Sequence, residues 1–197
     1  MAKMSKKQAI LELATVLFAD KGFTKTSMTE VAKLAGIAGA TIFYHYKTKE
    51  ELFVAVIESV KVGVLQEYCA SFKDCNEKFP NGLEMLLAAV SFHLHLADSK
   101  KQWFLLLRHH FTHELAAVNR DCRRHLAEIY ECLIKIFEKA LAMGIEDGSV
   151  RQLSPRKTAL IILAMVDGIE QLENNRLYDA SALYGELLVS CRHMIQQ

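Results

Sequence analysis

The chain reads as an all-α protein of about nine helices, with an N-terminal helix-turn-helix domain and a C-terminal helical bundle. Three observations carry this. Only two prolines, Pro80 and Pro155, and nine glycines interrupt 197 residues, too few breakers for a protein of strands and turns. Apolar residues recur at three- and four-residue spacing, with no alternating strand pattern, internal repeat or low-complexity tract. Capping residues stand before several of the periodic segments and glycines stand behind them.

Ile10, Leu13, Ala14, Leu17 and Phe18 share one face of a helix predicted over 5–21. Lys21-Gly22 ends it, with a cation in the last turn and glycine at C′. Ser27-Met28-Thr29-Glu30 is a capping box that opens a short helix, with Val31, Leu34 and Ala35 expected to face inward. Gly36 stops that helix, and another short one is expected from Gly39 to Tyr46, with Ile42 and Tyr46 inward. Thr48-Lys49-Glu50-Glu51 is a second capping box, for a helix to about residue 73. Pro80 suits the first turn of a helix over 81–97. Helices over 100–112 and 115–143 follow, the latter ended by Gly144. Ser154-Pro155 starts one that runs to Asn174, and the last covers 179–195.

Net charge is +1, unevenly placed. Residues 1–50 hold eight lysines and four acids, which makes +4; residues 51–197 hold 16 Lys/Arg and 19 acids, which makes −3. A basic N-terminal module on a mildly acidic body suits a polyanionic partner. No apolar run approaches the ~18 residues of a membrane span. Glu12 and Asp20 break the N-terminal apolar positions, so the segment is no signal peptide and a cytoplasmic protein is expected. The five cysteines, Cys69, Cys75, Cys122, Cys132 and Cys191, form no CxxC pair and read as reduced thiols filling space.

Two short helices joined by the tight turn Ala35-Gly36-Ile37-Ala38 have the geometry of a DNA-reading helix-turn-helix, placed at about 27–46 in a domain over 1–50. The second helix would enter the major groove, its small and polar N-terminal residues against base edges. Gly39, Ala40, Thr41, Tyr44 and His45 are expected to face outward. Thr26, Ser27 and Thr29 lie at the start of the first helix of the pair, where hydroxyls and N–H groups can hold a phosphate. Lys49 is a cation in the first turn of a helix, which is unfavourable unless an anion offsets it.

Residues 9–53, AILELATVLFADKGFTKTSMTEVAKLAGIAGATIFYHYKTKEELF, resemble the tetracycline-repressor-like (TetR) family of transcriptional regulators. The resemblance rests on Gly22-Phe23, Thr26-Ser27, Val31-Ala32, Ala35-Gly36-Ile37, Thr41, Tyr44-His45-Tyr46 and Lys49-Glu50-Glu51-Leu52, and it covers about a quarter of the chain. It implies that Thr41 contacts bases or phosphate, that Tyr44 and Lys49 hold the backbone, and that 51–197 is an effector-binding and dimerisation domain. Where the family often has Ser-Lys-Gly, this chain has Ala38-Gly39-Ala40, so the serine cap of the reading helix and the lysine contact are missing. Phe43 stands where a tyrosine is common.

The same resemblance implies a repressor that binds palindromic double-stranded DNA as a homodimer and is released by a small-molecule effector. Leu160, Ile161, Ala164, Met165, Gly168 and Leu172 form one stripe, and Leu183, Leu187, Cys191 and Met194 another, expected to meet their symmetry mates in a four-helix bundle. A mostly apolar effector site is expected at Phe92, Trp103, Phe104, Leu107, Arg108 and Phe111. His93, His95, His109, His110 and His113 are concentrated, and His109 and His113 are four apart, but no third ligand is fixed by spacing and no metal or other cofactor is expected. HExxH, GxSxG, P-loop and GxGxxG motifs are lacking, so no catalytic residue and no enzyme is expected. The rival reading is a helical metal- or redox-sensing module without specific DNA recognition.

Overall fold

A computed structural model describes residues 5–73, 78–174 and 178–196. Among them are ten α-helices: α1 Lys6–Lys25, α2 Met28–Leu34, α3 Gly39–His45, α4 Lys49–Phe72, α5 Gly82–Ser99, α6 Lys101–Arg108, α7 His110–Val118, α8 Arg120–Asp147, α9 Pro155–Asn174 and α10 Tyr184–Ile195. A 3₁₀ turn, Ala180–Leu183, leads into α10. Cys75 lies outside the described residues.

The chain divides into two compact units. One holds the residues up to Gln66 together with Lys100–Ile129; the other holds Glu67–Ser99 and everything from Tyr130 onward. The unit that carries the helix-turn-helix is therefore larger than 1–50, because α6 packs on α1 and adds 100–129 to it.

The N-terminal unit follows the sequence closely. Ser5 caps α1 by accepting from the N–H of Gln8 at 3.1 Å. Gly22 breaks the helix with φ +78°, the left-handed backbone that favours glycine. Ile10, Ala14 and Phe18 of α1, Val31 and Ala32 of α2, Ile42 of α3, and Leu52, Phe53 and Val56 of α4 form the core. The aromatic rings interlock: Phe53 is edge-on to Phe18, Phe23 and Phe111, and Phe111 stacks on Phe23 at 3.7 Å. Leu34 differs from its expected place. It is exposed, while Val31 and Ala32 fill the inner face of this two-turn helix.

The helices predicted over 100–112 and 115–143 are three. The chain turns extended at His109, whose Nδ1 accepts from the N–H of Phe111 and caps α7. The Thr112 hydroxyl donates to the Leu106 carbonyl at 2.6 Å and fastens the corner. A second corner follows at Asn119, whose side chain caps α8 through the N–H of Cys122 at 2.9 Å. Gly144 does not end α8, which continues to Asp147 and stops before Gly148 at φ +80°. A Cβ on Gly144 would meet Val150 at 2.4 Å, and α5 crosses α8 here through Gly82, whose Cβ would lie 2.1 Å from the Gly144 nitrogen.

In the C-terminal unit α5 packs against α9 and α10. Leu86, Val90, Phe137, Leu141, Ile162, Val166 and Ile195 are buried there. No helix among the described residues is long and apolar enough to cross a membrane.

Candidate nucleic-acid interface

Ser27 places α2. Its hydroxyl accepts from the N–H of Glu30 at 3.1 Å, and the Glu30 carboxylate pairs with Lys21 of α1 instead of returning to the cap residue. The helix ends at Ala35, and Gly36 at φ +64° makes the turn to α3. Ile42 and Tyr46 anchor α3 from below, both buried. Burial, with the Glu58 carboxylate second, raises the Tyr46 phenol, so it stays protonated and acts as packing.

Everything that α3 does not bury is offered outward. Gly39, Ala40, Phe43, Tyr44 and His45 are exposed, Tyr44 by 78%, and Thr41 is half-buried. Tyr44 and His45 lean edge to face, with ring centroids 5.4 Å apart. Ser27 and Thr29 are also exposed, with hydroxyls 3.2 Å apart at the start of α2. Lys33 on α2 and Lys47 just past α3 are exposed cations that the sequence reading passed over. Their only signal is the positive balance of the first fifty residues.

Two candidate residues are engaged within the chain. Thr26 is 2% exposed, and its hydroxyl faces the carbonyls of Gly22 at 2.9 Å and Leu17 at 3.2 Å. Its side chain fastens the turn between α1 and α2. Lys49 donates to the carbonyls of Phe23 at 2.8 Å and Thr26 at 3.0 Å, and its ammonium lies 4.3 Å from the Phe23 ring centre. The cation at this helix start is thus offset by the chain's own carbonyls and an aromatic face.

Ala38 makes no side-chain cap to α3. Ala38→Ser is expected to add one and stabilise the protein by about 1 kcal/mol, read from the midpoint of urea unfolding. An unchanged midpoint would show that α3 gains nothing from an N-cap.

The residues expected at an effector site fall in two places. Trp103 lies against Gly63, where a Cβ would meet its ring at 2.4 Å, and Lys100 covers it at 5.0 Å. Phe104 and Leu107 are buried, Arg108 lies over Phe104 at 5.4 Å, and Phe111 belongs to the aromatic cluster around Phe53. These form close packing in the N-terminal unit. Phe92 belongs to the C-terminal unit, edge-on to Tyr68 and Phe72. Beside those rings is an open cleft of about 250 Å³, walled by Tyr68, Phe72 and Ile136, with Cys69, Cys132, Lys73 and Lys135 around it. Burial pushes the Cys132 thiol up to about 11, as it does Cys122 and Cys191. These three thiols are protonated at neutral pH.

The same unit contains a group that sequence spacing did not reveal. His93 of α5 meets Glu170 of α9, with Nε2 to Oε1 at 3.0 Å, and Asp167 is close by. These three side chains could hold a metal ion.

Residues 10–56 match the tetR family of bacterial regulatory proteins. The fatty acid metabolism regulator protein of Bacillus subtilis (strain 168) is 27% identical over 197 residues, 97% of each chain. The HTH-type transcriptional regulator AcrR of Shigella flexneri is 28% identical over 173 residues, 83% of this chain and 75% of that one. Two solved structures share the fold. A transcriptional regulator from Saccharomonospora viridis in complex with choline has a TM-score of 0.83 at 18% identity, covering 97% of each chain. The transcriptional regulator FadR from Bacillus subtilis in complex with stearoyl-CoA has a TM-score of 0.70 at 22% identity, covering 91% of this chain and 94% of that one. The relatives are regulators of transcription rather than enzymes, and the exposed helix-turn-helix found here lies within the matched residues. In its helix-turn-helix and over most of its length, this chain is thus similar to transcriptional regulators of the tetR family.

Proposed function

We propose that the chain is a ligand-responsive repressor that binds a palindromic operator as a homodimer. The observation that carries this reading is α3: its inner face is spent on Ile42, while Gly39, Ala40, Tyr44 and His45 are held outward on a rigid support. Gly39, Ala40 and Thr41 would approach base edges, closer than usual because the side chains are small. Tyr44, Ser27, Thr29, Lys33 and Lys47 would hold the phosphates, and His45 would flank them. Lys49 and Thr26 serve by fixing the turn on which the motif rests.

The homodimer is supported by α9. Leu160, Ile161, Ala164 and Gly168 are exposed in the single chain, with Met165 and Leu172 half-buried beside them. Gly168 has open space where a Cβ would point, as suits a close helix crossing. The stripe expected on α10 does not join them, since Leu187 and Cys191 are buried and the helix packs on α5. The exposed residues of α10 are Gly185, Glu186, Val189, Ser190 and His193.

The effector is placed in the cleft at Tyr68 and Phe72, with Phe92 buttressing both rings, rather than near Trp103. An apolar wall with lysines at its edge suits an amphipathic anion. This agrees with the fatty-acid regulator name of one relative and the stearoyl-CoA of a structural neighbour. Selection of bound duplexes from a random pool, followed by addition of long-chain acyl-CoA, tests the reading. A palindromic consensus released by acyl-CoA supports it; binding without sequence preference would overturn it. Tyr44→Phe is expected to weaken binding to the selected site by about 1.5–3 kcal/mol through loss of one charged hydrogen bond. An unaltered affinity in a filter-binding titration would remove Tyr44 from the phosphate contacts.

A further inference from the structure

We propose that His93, Asp167 and Glu170 form a binding site for one divalent first-row transition-metal ion in the C-terminal unit. The three come from two helices. Asp167 and Glu170 are three apart on α9 and so share a face. His93 reaches them from α5, which packs on α9. One ligand atom from each residue lies within 4.8 Å of the others, and His93 Nε2 and Glu170 Oε1 are already 3.0 Å apart. Nitrogen and oxygen ligands lie about 2 Å from a zinc ion and hence roughly 3–4 Å from one another, so side-chain torsions suffice to close the set.

The surroundings favour an ion. His93 and Glu170 are 4% and 3% exposed, while Asp167 is half-buried and gives a way in. The Tyr68 hydroxyl lies 2.5 Å from Nδ1 of His93, so the ring is held with Nε2 directed at the carboxylates. An imidazole fixed by a partner on its other nitrogen is the usual support of a metal-ligating histidine. A histidine–glutamate ion pair needs one carboxylate. A second carboxylate, that of Asp167, within 4.8 Å of both groups matches the charge of a divalent ion bound by a neutral imidazole. One nitrogen and two carboxylate donors suit Zn²⁺, Mn²⁺ or Fe²⁺ rather than a soft monovalent ion. Three protein ligands leave a further position for water.

The test uses untagged, chelator-stripped, full-length protein. Zn²⁺ is titrated by calorimetry, with Co²⁺ as a visible-absorbing substitute and Mn²⁺ as a harder one. The expected result is one equivalent per chain that raises the melting temperature and that is lost in His93→Gln and Glu170→Gln. Asp167→Asn, at a half-buried position where folding is less at stake, should weaken binding. Tyr68→Phe keeps all three ligands and should weaken it about 10–100-fold. Thiols and surface histidines that take up Zn²⁺ elsewhere do so equally in wild type and variants, so the difference is the readout. The proposal is overturned if the wild type binds none of the three ions, or if wild type and Asp167→Asn titrate alike.

Discussion

Ile161→Glu is expected to give a folded monomer that has lost operator binding. Ile161 is 53% exposed in the single chain, whereas its neighbour Ile162 is fully buried. A carboxylate at 161 is therefore accepted by the folded subunit, and its cost appears when two copies meet. In a two-fold interface built on α9 the substitution enters twice, placing two like charges among Leu160, Ala164 and their symmetry mates. Burying an unpaired charge costs several kcal/mol, more than one residue's share of a standard interface. A monomer can hold only one half of the operator. Losing the second, tethered contact lowers affinity by about 10²–10⁴-fold. Light scattering should give the monomer mass of 22.3 kDa for the variant and twice that for the wild type. A variant that remains dimeric and binds DNA would move the interface away from this stripe.

Phe53→Ala should destabilise the N-terminal unit by about 3–5 kcal/mol, the range for deleting a fully buried phenylalanine. Phe53 is 1% exposed and sits edge-on to three rings, Phe18, Phe23 and Phe111, at 5.1, 5.6 and 5.2 Å. Each such pair contributes about 0.5–1.5 kcal/mol beyond the area it buries. The cavity also undermines the turn at Phe23, whose carbonyl holds Lys49. Since domains are stable by only about 5–15 kcal/mol, the helix-turn-helix would be substantially weakened at 37 °C. Urea unfolding followed by circular dichroism measures the loss. A change below about 1 kcal/mol would mean that the aromatic cluster is not the support of the reading helix.

The local signals in the sequence were the ones that could be read. Ser27 caps α2, Gly22 and Gly36 adopt positive φ, and Pro155 starts α9, because each of these depends on a few neighbouring residues. The outward residues of α3 and the apolar stripe of α9 followed from helical period alone. What was missed depends on distant packing. Nothing in the residues around His109 marks a break, which is held by Thr112 reaching back to Leu106. Asn119 did carry a signal, an N-cap residue with Asp121 in the first turn of α8, and it went unread. Gly144 looks like a helix stop, but it lies inside α8, where its missing side chain leaves room for Val150.

Residue type misled at Thr26 and Lys49 for a related reason. A hydroxyl and an ammonium near a helix-turn-helix suit phosphates, yet the carbonyls of Gly22, Phe23 and Thr26 take them first. Helical period showed a stripe on α10 without showing whose surface it meets, and Leu187 and Cys191 turned inward. His93 lies far along the chain from Asp167 and Glu170, and only the packing of α5 on α9 brings them together.

That α3 of each subunit reads one half of a palindromic operator is tested most directly by chemical footprinting on the selected duplex. Wild type should protect two major-groove stretches centred about 34–36 Å apart, or a small multiple of one helical turn. The Thr41→Ala/Tyr44→Ala variant, still a folded dimer, should lose both. Protection left unchanged by that variant, or spread evenly along the DNA, would contradict the assignment of α3 as the reading helix.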